Sequence, residues 1–468
     1  MIPPRLAPLL SPSSVPHQLA KLFDSSGYEL FLVGGTVRDA LMDRIRTDTT
    51  TIDLDLATDA RPDATRQIVA EWADDVYLAG ERFGTIVAIR GGVHHEITTF
   101  RSEVYLDASR KPQVSFSDDI VEDLSRRDFT INALAIRLGP GEGEMPELID
   151  PHDGIADLTS KVLRTPLSSE VAFGDDPLRM LRLYRFVSTL GFEVDGEADE
   201  AVRSMVARLE IVSAERIRDE LSKLLIGENV AAALQGLVAS GLAAHFLPEI
   251  PALALEQDPI HRHKDVLAHS IAVTEKVAPT LVGRLAALLH DIGKPQTRVI
   301  APSGVTFHHH EVVGARMVRS RLKALRYSRE QIRNVSDLVF LHMRPHTYKM
   351  GWTDSAVRRY VRDAGEQLEA LNDLVRSDVT TRNKKRARAI ENRIDDLEQR
   401  IADLRSREAL DALRPPIDGH HVMKHLGLEP GPEVGEAMRL LTEHRIDHGP
   451  FSEEEAYGLL ERWRDDHL

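Results

Sequence analysis

The chain has 468 residues, of which 42% are hydrophobic and 28% charged, values typical of globular domains and not of disordered, collagen-like or membrane proteins. It contains no cysteine, which excludes disulfides, cysteine-ligated metals and thiol nucleophiles and favours a reducing, cytoplasmic location. The formal net charge of −15 argues against uniform coating of nucleic acid, so RNA would have to bind at local basic patches. No apolar stretch reaches the roughly 18 residues that a membrane span needs, and we expect no membrane contact.

Short apolar runs separated by turns predict an α/β region in the first third of the chain. The predicted strands are Glu29–Val33, Thr51–Leu56, Thr85–Arg90, His95–Phe100 and Thr130–Arg137. After residue 158 the apolar residues recur with the period of helices, and predicted helices include Asp176–Thr189, Glu215–Leu225 and Asn229–Gly241. The sequence therefore predicts a multidomain α+β protein whose α/β head is followed by an almost wholly helical remainder.

The helical part changes character around Pro248–Pro259, where prolines interrupt it. Nine of the 20 histidines lie between His261 and His346, which marks a region of distinct chemistry. Farther on, apolar residues at spacings of four and three predict one long helix along Ile390, Ile394, Leu397, Ile401 and Leu404. Prolines after Arg414 end this helix, and Gly427–Pro432 predicts a turn between two helices near the end of the chain.

The first candidate site combines a glycine turn with two carboxylates. A predicted strand leads through Gly34 and Gly35 into a helix that carries Arg38, and Asp53 and Asp55 follow on the next strand. Residues two apart on a strand point to one face, so the two carboxylates can hold divalent metals together. The glycine turn and the arginine can bind a triphosphate. Either motif alone is more often a tight turn or a solvated strand edge, but together they are typical of two-metal nucleotidyl transfer.

These residues resemble the class II tRNA nucleotidyltransferases (CCA-adding enzymes) and bacterial poly(A) polymerases, within the DNA polymerase beta superfamily. The resemblance runs through most of the chain. It implies a DNA-polymerase-beta-like nucleotidyltransferase head in which Asp53 and Asp55 are catalytic and bind Mg²⁺. The nucleotide-binding residues that it implies are Gly34, Gly35, Arg38, Arg127, Asp128, Asn132, Asp176, Arg179, Arg182 and Arg185.

Three further segments match motifs of this family. Asp150–Leu158 is similar to a hinge-like motif, and Glu215–Glu220 to an element that supports a neighbouring helix. Asp175 stands where the family usually has Glu, next to the matching Asp176 and Arg179. Glu81–Thr85 is similar to the form found in CCA-adding enzymes and differs from the basic stretch of poly(A) polymerases, which favours CCA addition.

The chemistry of the pair Asp176 and Arg179 also suggests how the chain could select a base. On a helix, residues three apart lie on one face, which would put a hydrogen-bond acceptor beside a donor. Cytosine and adenine each present an amino group, which donates, beside a ring nitrogen, which accepts, and the pair complements both bases. Guanine and uracil present donor and acceptor in the opposite order. The alternative is an ordinary salt bridge on a helix surface. Glu96, on a predicted neighbouring strand, could supply a third carboxylate, although an exposed Glu on a half-buried strand is the commoner case.

A second candidate site lies in the histidine-rich region. The ordered set consists of His269, His290, Asp291, His310, His342 and Asp378. This set resembles the HD superfamily of metal-dependent phosphohydrolases, and Ile292-Gly293-Lys294 matches the usual continuation of the His-Asp doublet. By this resemblance, the first histidine, the doublet and Asp378 hold one metal, and His310 and His342 complete a second position. Imidazole and carboxylate ligands suit Ni²⁺, Mn²⁺, Co²⁺ or iron. The alternative is a structural domain that retains these ligands without turnover.

We therefore expect a nucleotidyltransferase head (1–160), a helical neck and body (161–250), an HD domain (257–385) and a helical tail (386–468). The expected reaction adds CCA to the 3′ end of tRNA from CTP and ATP. The alternatives are a poly(A) polymerase, an enzyme that adds only CC or only A, an HD phosphohydrolase with a non-catalytic head, and an RNA-binding scaffold. The best candidates for RNA phosphate contacts are Arg382, Lys384, Lys385 and Arg386. We infer no stable protein partner from the sequence.

Overall fold

The computed structural model describes residues 6–7, 9–44, 53–79, 84–104, 113–139, 146–255, 265–301, 304–379, 384–408 and 413–467. The chain divides into two compact units, Met1–Phe246 and Leu247–Leu468. The division falls immediately before the proline-containing stretch that the sequence marks as a boundary, while the finer division into four parts stays a prediction. Among the helices of the described ranges, none combines the length and the apolarity that crossing a bilayer requires.

The first unit is built on a mixed sheet. Its strands are β1 (Leu30–Val33), β2 (Leu54–Thr58), β3 (Asp75–Leu78), β4 (Thr85–Arg90), β5 (Val93–Thr99), β6 (Arg101–Val104), β7 (Gln113–Phe116), β8 (Ala135–Arg137), β9 (Glu147–Ile149), β10 (Val162–Leu163) and β11 (Glu193–Val194). In the described part of the chain, seven of them form one sheet in the order β3-β4-β5-β2-β1-β8-β9. Strand β2 is parallel to β5 and antiparallel to β1, so it lies in the middle of the sheet.

Strand β1 is apolar throughout because both of its faces are covered. Leu30 and Leu32 pack into one core cluster, and Phe31 and Val33 pack into another on the opposite face. The sequence of a strand with both faces buried is a continuous apolar run, as it is in β1. Strand β2 instead has Asp55 exposed between two buried leucines. The alternation therefore turns its carboxylate away from the core.

The helices of the first unit follow and flank this sheet. They are α1 (Val15–Ser25), α2 (Gly35–Leu41), α3 (Pro62–Val69), α4 (Ile120–Ser125), α5 (Gly154–Ser160), α6 (Ser169–Asp175), α7 (Leu178–Leu190), α8 (Gly196–Met205), α9 (Ala214–Leu225) and α10 (Val230–Ala239). Short 3₁₀ turns cover Thr130–Asn132, Val206–Ile211 and Leu242–His245. The predicted helices Glu215–Leu225 and Asn229–Gly241 thus correspond to α9 and α10.

Two predicted elements of this unit are wrong in detail. The predicted helix Asp176–Thr189 is interrupted at its start, because α6 ends at Asp175 and Asp176 is extended at φ −136° and ψ 99°. Pro177 explains the break, since a residue before proline is pushed out of the helical region. The predicted strand Thr130–Arg137 begins instead with the 3₁₀ turn, and only Ala135–Arg137 form β8.

Close packing against Gly154 explains why the 3₁₀ turn forms. A Cβ atom added to Gly154 would lie 2.2 Å from the backbone oxygen of Thr130, so only glycine allows this approach. The Thr130 hydroxyl also donates to Asp157 Oδ2 on α5 at 2.7 Å. These contacts fix the turn that carries Asn132, one of the expected nucleotide-binding residues.

The second unit is mainly helical. Its helices are α11 (Val266–Lys276), α12 (Leu281–Leu289), α13 (Lys294–Thr297), α14 (His310–Ala324), α15 (Arg329–Leu341), α16 (Asp354–Ala364), α17 (Leu368–Ser377), α18 (Lys384–Glu408), α19 (Gly419–Leu426), α20 (Pro432–His448) and α21 (Glu453–His467). Helix α18 buries the predicted stripe from Ile394 to Leu404. Gly427–Pro432 lies between α19 and α20 as predicted, and α19 to α21 share an apolar cluster.

The structure confirms an almost wholly helical remainder, in which two short strand pairs are the exceptions within the described residues. In the first unit β10 pairs with β11, and in the second unit β12 (Arg298–Ala301) pairs antiparallel with β13 (Gly304–Phe307). The β12–β13 hairpin exposes Val299 and Ile300. Strands this short give little periodic signal, which is why helical periodicity dominated the prediction.

Candidate functional site

The glycine turn joins β1 to α2 and approaches the carboxylates closely. Gly34 has φ 66° and ψ −132°, a conformation that side-chain-bearing residues rarely adopt. A Cβ atom at this position would lie 2.8 Å from Arg127 Nη1 and 3.8 Å from Asp55 Oδ2. Thr36 Oγ1 accepts a hydrogen bond from the Asp55 backbone N–H at 3.2 Å. The turn is therefore fixed against β2, as the sequence motif predicts.

Three carboxylates cluster beside this turn. Asp53 immediately precedes β2, Asp55 lies on β2, and Glu96 is in register with Asp55 on the parallel strand β5. Protein atoms packed around the Asp55 carboxyl displace part of its water and raise its pKa, although the residue is exposed at the sheet surface, and Arg127 and Arg38 act in the opposite direction. Burial and the charges of Asp55 and Asp53 also raise the pKa of Glu96. Concentrated negative charge of this kind fits divalent cations with oxygen ligands. Glu96, which the sequence analysis left open, thus lies with the predicted pair.

Asp123 on α4 holds two neighbouring arginines, Arg126 and Arg127. Its carboxylate is fully buried and accepts from Arg126 Nη2 at 2.5 Å and from Arg127 Nη2 at 3.0 Å. Although burial opposes ionisation, these two guanidinium groups lower the pKa of Asp123. The residue was missed from the sequence, yet its spacing of three and four from the two arginines was an available signal. Asp123 therefore holds Arg127 in place beside Gly34.

A chain of hydrogen bonds leads from the glycine turn to α7. Arg38 Nη1 donates to Asn132 Oδ1 at 2.6 Å, and Asn132 Nδ2 donates to Asp128 Oδ1 at 2.9 Å. Arg182 Nε on α7 donates to Asp128 Oδ2 at 2.9 Å. Burial opposes ionisation of Asp128, but Arg182 and the hydrogen bond from Asn132 hold its pKa well below the usual range. Four of the predicted residues thus form one connected network.

The network continues onto α9 through Glu220. Its buried carboxylate lies 3.2 Å from Arg182 Nη1 and 2.8 Å from Arg185 Nε. The Arg185 guanidinium lies 3.8 Å from the centre of the Phe186 ring. Burial and the neighbouring Arg182 lower the pKa of Arg185 to about 10, although Glu220 opposes this shift. Glu220, at the end of the predicted helix-supporting segment Glu215–Glu220, accordingly neutralises two arginines of α7.

Asp176 and Arg179 are arranged differently from the expected helix pair. Asp176 precedes α7, so the prediction that both residues lie on one helix face is wrong. The Asp176 carboxylate accepts from Arg216 Nη2 at 2.6 Å and from the Leu178 backbone N–H at 3.2 Å. The buried Arg179 donates to the backbone oxygens of Ala172 at 3.3 Å and Arg126 at 2.5 Å. Each member of the pair is thus held in place by other groups.

The four predicted RNA contacts lie at the start of α18 or just before it. Arg382 lies outside the described residues, whereas Lys384, Lys385 and Arg386 belong to the first turn of the helix. The nearby Arg376 pairs with Asp395 at 2.6 Å and with Glu398 at 2.9 Å, so its charge is neutralised within the unit.

In the second unit, the predicted HD residues converge. His269 Nε2 lies 2.8 Å from Asp378 Oδ1 and 3.6 Å from Asp291 Oδ2. His290 Nε2 lies 3.2 Å from Asp291 Oδ2 and 3.6 Å from Asp378 Oδ1. The His269 and His290 Nε2 atoms are 3.3 Å apart. Side chains from α11 and from the ends of α12 and α17 therefore surround one point.

A second group of ligands shares Asp291 with the first. His310 Nε2 lies 3.4 Å from Asp291 Oδ1 and 3.3 Å from His342 Nε2. His309, the preceding residue, has its side chain 82% exposed and is not part of the cluster. The structure thus brings His310, rather than its neighbour, next to the carboxylate. Two groups, His269 with His290 and Asp291, and Asp291 with His310 and His342, have ligand atoms within 4.8 Å of one another, as binding a metal requires.

The protonation of these histidines also fits metal binding. In His290, His310 and His342, Nδ1 lies 2.7, 2.9 and 2.6 Å from the backbone oxygen three residues earlier. Because a carbonyl only accepts, Nδ1 carries a proton in each ring, which leaves Nε2 as the nitrogen that can bind a metal once it is unprotonated. Burial and repulsion from His290 lower the pKa of His342 to about 3. Burial opposes charging of His290, but Asp291 and Asp378 raise its pKa to about 10. The carboxylates thus attract positive charge to the cluster.

A cavity of about 440 Å³ opens beside the second group. Its lining includes Asp291, His310, His342, Lys294 and Met343. Lys294 Nζ lies 2.6 Å from Asp291 Oδ2 and adds a cation that can contact a phosphate. In the sequence this lysine is distinguished only as part of the Ile292-Gly293-Lys294 motif.

Comparison with known proteins agrees with these observations. The family model "Poly A polymerase head domain" matches residues 30–164, "Probable RNA and SrmB- binding site of polymerase A" matches 191–253, and "HD domain" matches 266–403. An A-adding tRNA nucleotidyltransferase of Deinococcus radiodurans is 32% identical, covering 93% of this chain and 95% of that protein. A CCA-adding enzyme of Streptococcus thermophilus is 30% identical, covering 92% of each.

A solved structure, the Bacillus stearothermophilus CCA-adding enzyme in complex with CTP, has the same fold. Its TM-score is 0.68 at 23% identity, and the match covers 99% of both chains. The fold and the matched domains define a nucleotidyltransferase joined to an HD domain. The chain belongs to the family of tRNA nucleotidyltransferases and poly(A) polymerases.

The buried ion pair between Asp128 and Arg182 gives a prediction about stability. Asp128→Asn should lower the free energy of unfolding by about 3 kcal/mol at pH 7, because it removes the nearer carboxylate of Arg182 and leaves that guanidinium only Glu220, which Arg185 shares. Since the folded-state pKa of Asp128 lies below its unfolded value, this contribution is complete above the unfolded pKa of about 4 and is lost as pH falls further. The effect is measured by urea unfolding of the wild-type protein and of Asp128→Asn at about pH 7 and at about pH 3.5.

The control is Asp118→Asn, which removes an exposed partner of Arg61. It should cost less than about 1 kcal/mol. An Asp128→Asn effect no larger than this control, or one that grows on acidification, would contradict the assigned ion pair.

Proposed function

We propose that the chain adds C, C and A in turn to the 3′ end of tRNA, with CTP and ATP as substrates. The observation that carries the proposal is the network from Arg38 through Asn132 and Asp128 to Arg182. This network joins the glycine turn, which lies beside the carboxylates of β2, to α7, the helix that follows Asp176 and carries Arg179. Relatives named CCA-adding enzymes support this reading. A relative at similar identity is named A-adding, so addition of A alone is the main competing function.

In this proposal Asp53 and Asp55 hold Mg²⁺, with Glu96 beside them. Bound Mg²⁺ supplies charge neutralisation for attack of the tRNA 3′-OH on the α-phosphate and departure of pyrophosphate. Arg127 and Arg38 bind the phosphates through charge-assisted hydrogen bonds, and the tight turn at Gly34 lets them approach. Asp123 and Asn132 keep these guanidinium groups oriented. The chain's own contribution is therefore to position the triphosphate against the carboxylates.

Base selection is assigned to Asp176 and Arg179. Arg216 and the Leu178 N–H orient the Asp176 carboxylate as an acceptor, while two backbone oxygens orient the Arg179 guanidinium as a donor. A fixed acceptor and a fixed donor complement cytosine and adenine and oppose guanine and uracil. The structure thus supports the base-reading role by a route other than the helix spacing from which it was first inferred.

The HD cluster supports a second, separate activity. We infer that His269, His290, Asp291 and Asp378 hold one transition metal such as Ni²⁺, Mn²⁺ or Co²⁺, and that Asp291, His310 and His342 complete a second position. A metal bound there supplies Lewis acidity for phosphoester hydrolysis. Lys294 would bind a substrate phosphate at the cavity wall. The alternative is that the cluster is structural and hydrolyses no substrate. The cytoplasmic location of the protein stays a prediction from its composition.

The addition reaction is tested with three tRNA transcripts, ending before the CCA, after its first C and after its second C. The wild-type protein should add CTP to the first two and ATP to the third, because the same pocket accepts both bases. Asp55→Asn should lower the rate by about a thousandfold or more, since it removes a ligand carboxylate. Gel analysis of each transcript with each nucleotide gives the readout.

The control for this experiment is Asp63→Asn on the exposed face of α3, which should keep wild-type rates. Activity on the third transcript alone would identify an A-adding enzyme. Repeated addition of ATP to all three would identify a poly(A) polymerase.

Base selection is tested with Asp176→Asn. The variant should lose discrimination against UTP and GTP by about 10- to 100-fold, because an amide can present a donor where the carboxylate presents only acceptors. Single-nucleotide incorporation rates with all four nucleotides measure this ratio. Asp199→Asn, which removes an exposed partner of Arg203, is the matched control and should leave the ratio unchanged. Unaltered preference in Asp176→Asn would move the specificity site elsewhere.

The HD activity is tested by replacing His290 and Asp291 together with Ala. The double variant should lose metal-dependent hydrolysis of 2′,3′-cyclic phosphates and small phosphomonoesters while CCA addition continues. Assays with Mn²⁺, Ni²⁺ and Co²⁺ provide the readout, and His309→Ala serves as the control because its side chain faces solvent. If the wild-type protein hydrolyses none of these substrates with any of the three metals, the structural reading replaces this proposal.

A further inference from the structure

The groups expected to bind the triphosphate lie on one side of the β2 carboxylates. Gly34 directly follows β1, and the Arg127 guanidinium adjoins it. In the strand order of the sheet, β1 lies next to β2 on one side, whereas β5, β4 and β3 follow on the other. In phosphoryl transfer the attacking and leaving oxygens are roughly in line, on opposite sides of the phosphorus. We therefore expect the attacking RNA 3′-OH to approach over β5, β4 and β3.

One row of paired residues crosses these strands on the face that carries Asp55. Asp55 is paired with Glu96 on β5, and Glu96 is paired with Val87 on β4. Val87 is paired in turn with Tyr77 on β3. Residues paired directly across strands point to the same face of the sheet. With about 4.8 Å between strands, Tyr77 lies about 10 Å beyond Glu96. The row thus leads from the carboxylates to an aromatic ring on the side from which the RNA approaches.

His94 contacts the Tyr77 ring on this face. It lies two residues before Glu96 on β5, so its side chain points to the same face. The Tyr77 Oη atom lies 3.5 Å from His94 Nδ1, and the two rings meet edge to face with their centres 6.4 Å apart. This contact spans β4, where Val87 is buried. The His94 backbone N–H also donates to Asp53 Oδ1 at 3.4 Å, which connects the ring pair to the carboxylates.

The exposure of Tyr77 leaves its ring accessible to a ligand. Tyr77 is 43% exposed, although it lies on the same face as the carboxylates. Aromatic side chains bind unpaired bases by stacking, and this contact tolerates any sequence because every base has a ring face. The proposed reaction needs such tolerance, since the last nucleotide of the RNA changes with each addition. The alternative is an ordinary ring pair that stabilises an edge strand.

We propose that the Tyr77 ring stacks on the last base of the RNA that is being extended, and that His94 positions this ring. The inference rests on the proposed addition reaction and names the residue that places the attacking 3′-OH beside the carboxylates. Asp176 and Arg179 select the incoming base through hydrogen bonds to its edge. Tyr77 instead contacts the ring face of a base already in the chain, so it accepts each successive 3′ end.

The test uses the tRNA transcript that ends after its second C, because a CCA-adding, an A-adding and a poly(A)-adding enzyme would all extend it with ATP. In the full-length protein, Tyr77→Thr should lower kcat/KM for this transcript about tenfold and leave KM for ATP unchanged. Tyr77→Phe should keep the wild-type value, since it retains the ring. His94→Ala should lower kcat/KM by a smaller factor, because it removes the edge-to-face contact but leaves the ring in place.

A second transcript, whose last nucleotide lacks its base, separates stacking from a structural role. The wild-type protein should lose about tenfold in kcat/KM on this transcript, because the ring has no base to contact. Tyr77→Thr and His94→Ala should lose nothing further on it. A residue that only stabilises the strand would instead lower kcat/KM by the same factor on both transcripts.

The matched control is Leu78→Thr, since Leu78 is also 43% exposed on β3 and points to the opposite face of the sheet. This variant should keep the wild-type kcat/KM on each transcript. Wild-type values in Tyr77→Thr, equal losses on both transcripts, or the same loss in the control would overturn the role of Tyr77 and leave the addition reaction intact. If the wild-type protein extends no transcript, the proposed function and this inference are both rejected.

Discussion

The first unit depends on one constraint, which is that a buried charge must have a partner. Asp128 is buried next to α7 and is ionised only because Arg182 and Asn132 surround it. Each of these partners has a second contact, since Asn132 accepts from Arg38 and Arg182 reaches Glu220. Moving any one group would leave another charge unpaired. The network therefore fixes the glycine turn relative to α7 without any bound ligand.

The same constraint explains the arrangement of side chains around Asp291 in the HD cluster. Asp291 is fully buried and lies within 3.6 Å of three imidazole nitrogens and one ammonium group, those of His269, His290, His310 and Lys294. Burial opposes its ionisation, but His290 and its hydrogen bond hold the pKa well below the usual range. A carboxylate that attracts cations from several elements is suited to join two metal positions.

Local patterns allowed much of both sites to be predicted. The strand, the glycine turn and Asp55 follow from alternation and spacing, and the HD residues from their order along the chain. The break at Asp176 was missed because the helical periodicity was given more weight than Pro177. The effect of a proline on the preceding residue is local and can be predicted from the sequence. Glu96 could be placed beside the aspartates only by tertiary structure, since what matters is which strand lies beside β2, whereas Asp123 had a local signal in its spacing from Arg126 and Arg127. The turn at Thr130 depends on an approach by Gly154 that no local pattern records.

Arginines serve two different purposes in this chain, and burial separates them. Around the nucleotide site, Arg182 and Arg185 are paired with buried carboxylates, so their geometry is fixed and suited to orienting a particular group. On α14 and α15, by contrast, Arg316 and Arg333 are exposed on helix surfaces, where geometry is loose and charge acts over a distance. Fixed guanidinium groups can discriminate between bases, whereas exposed ones can only collect phosphates.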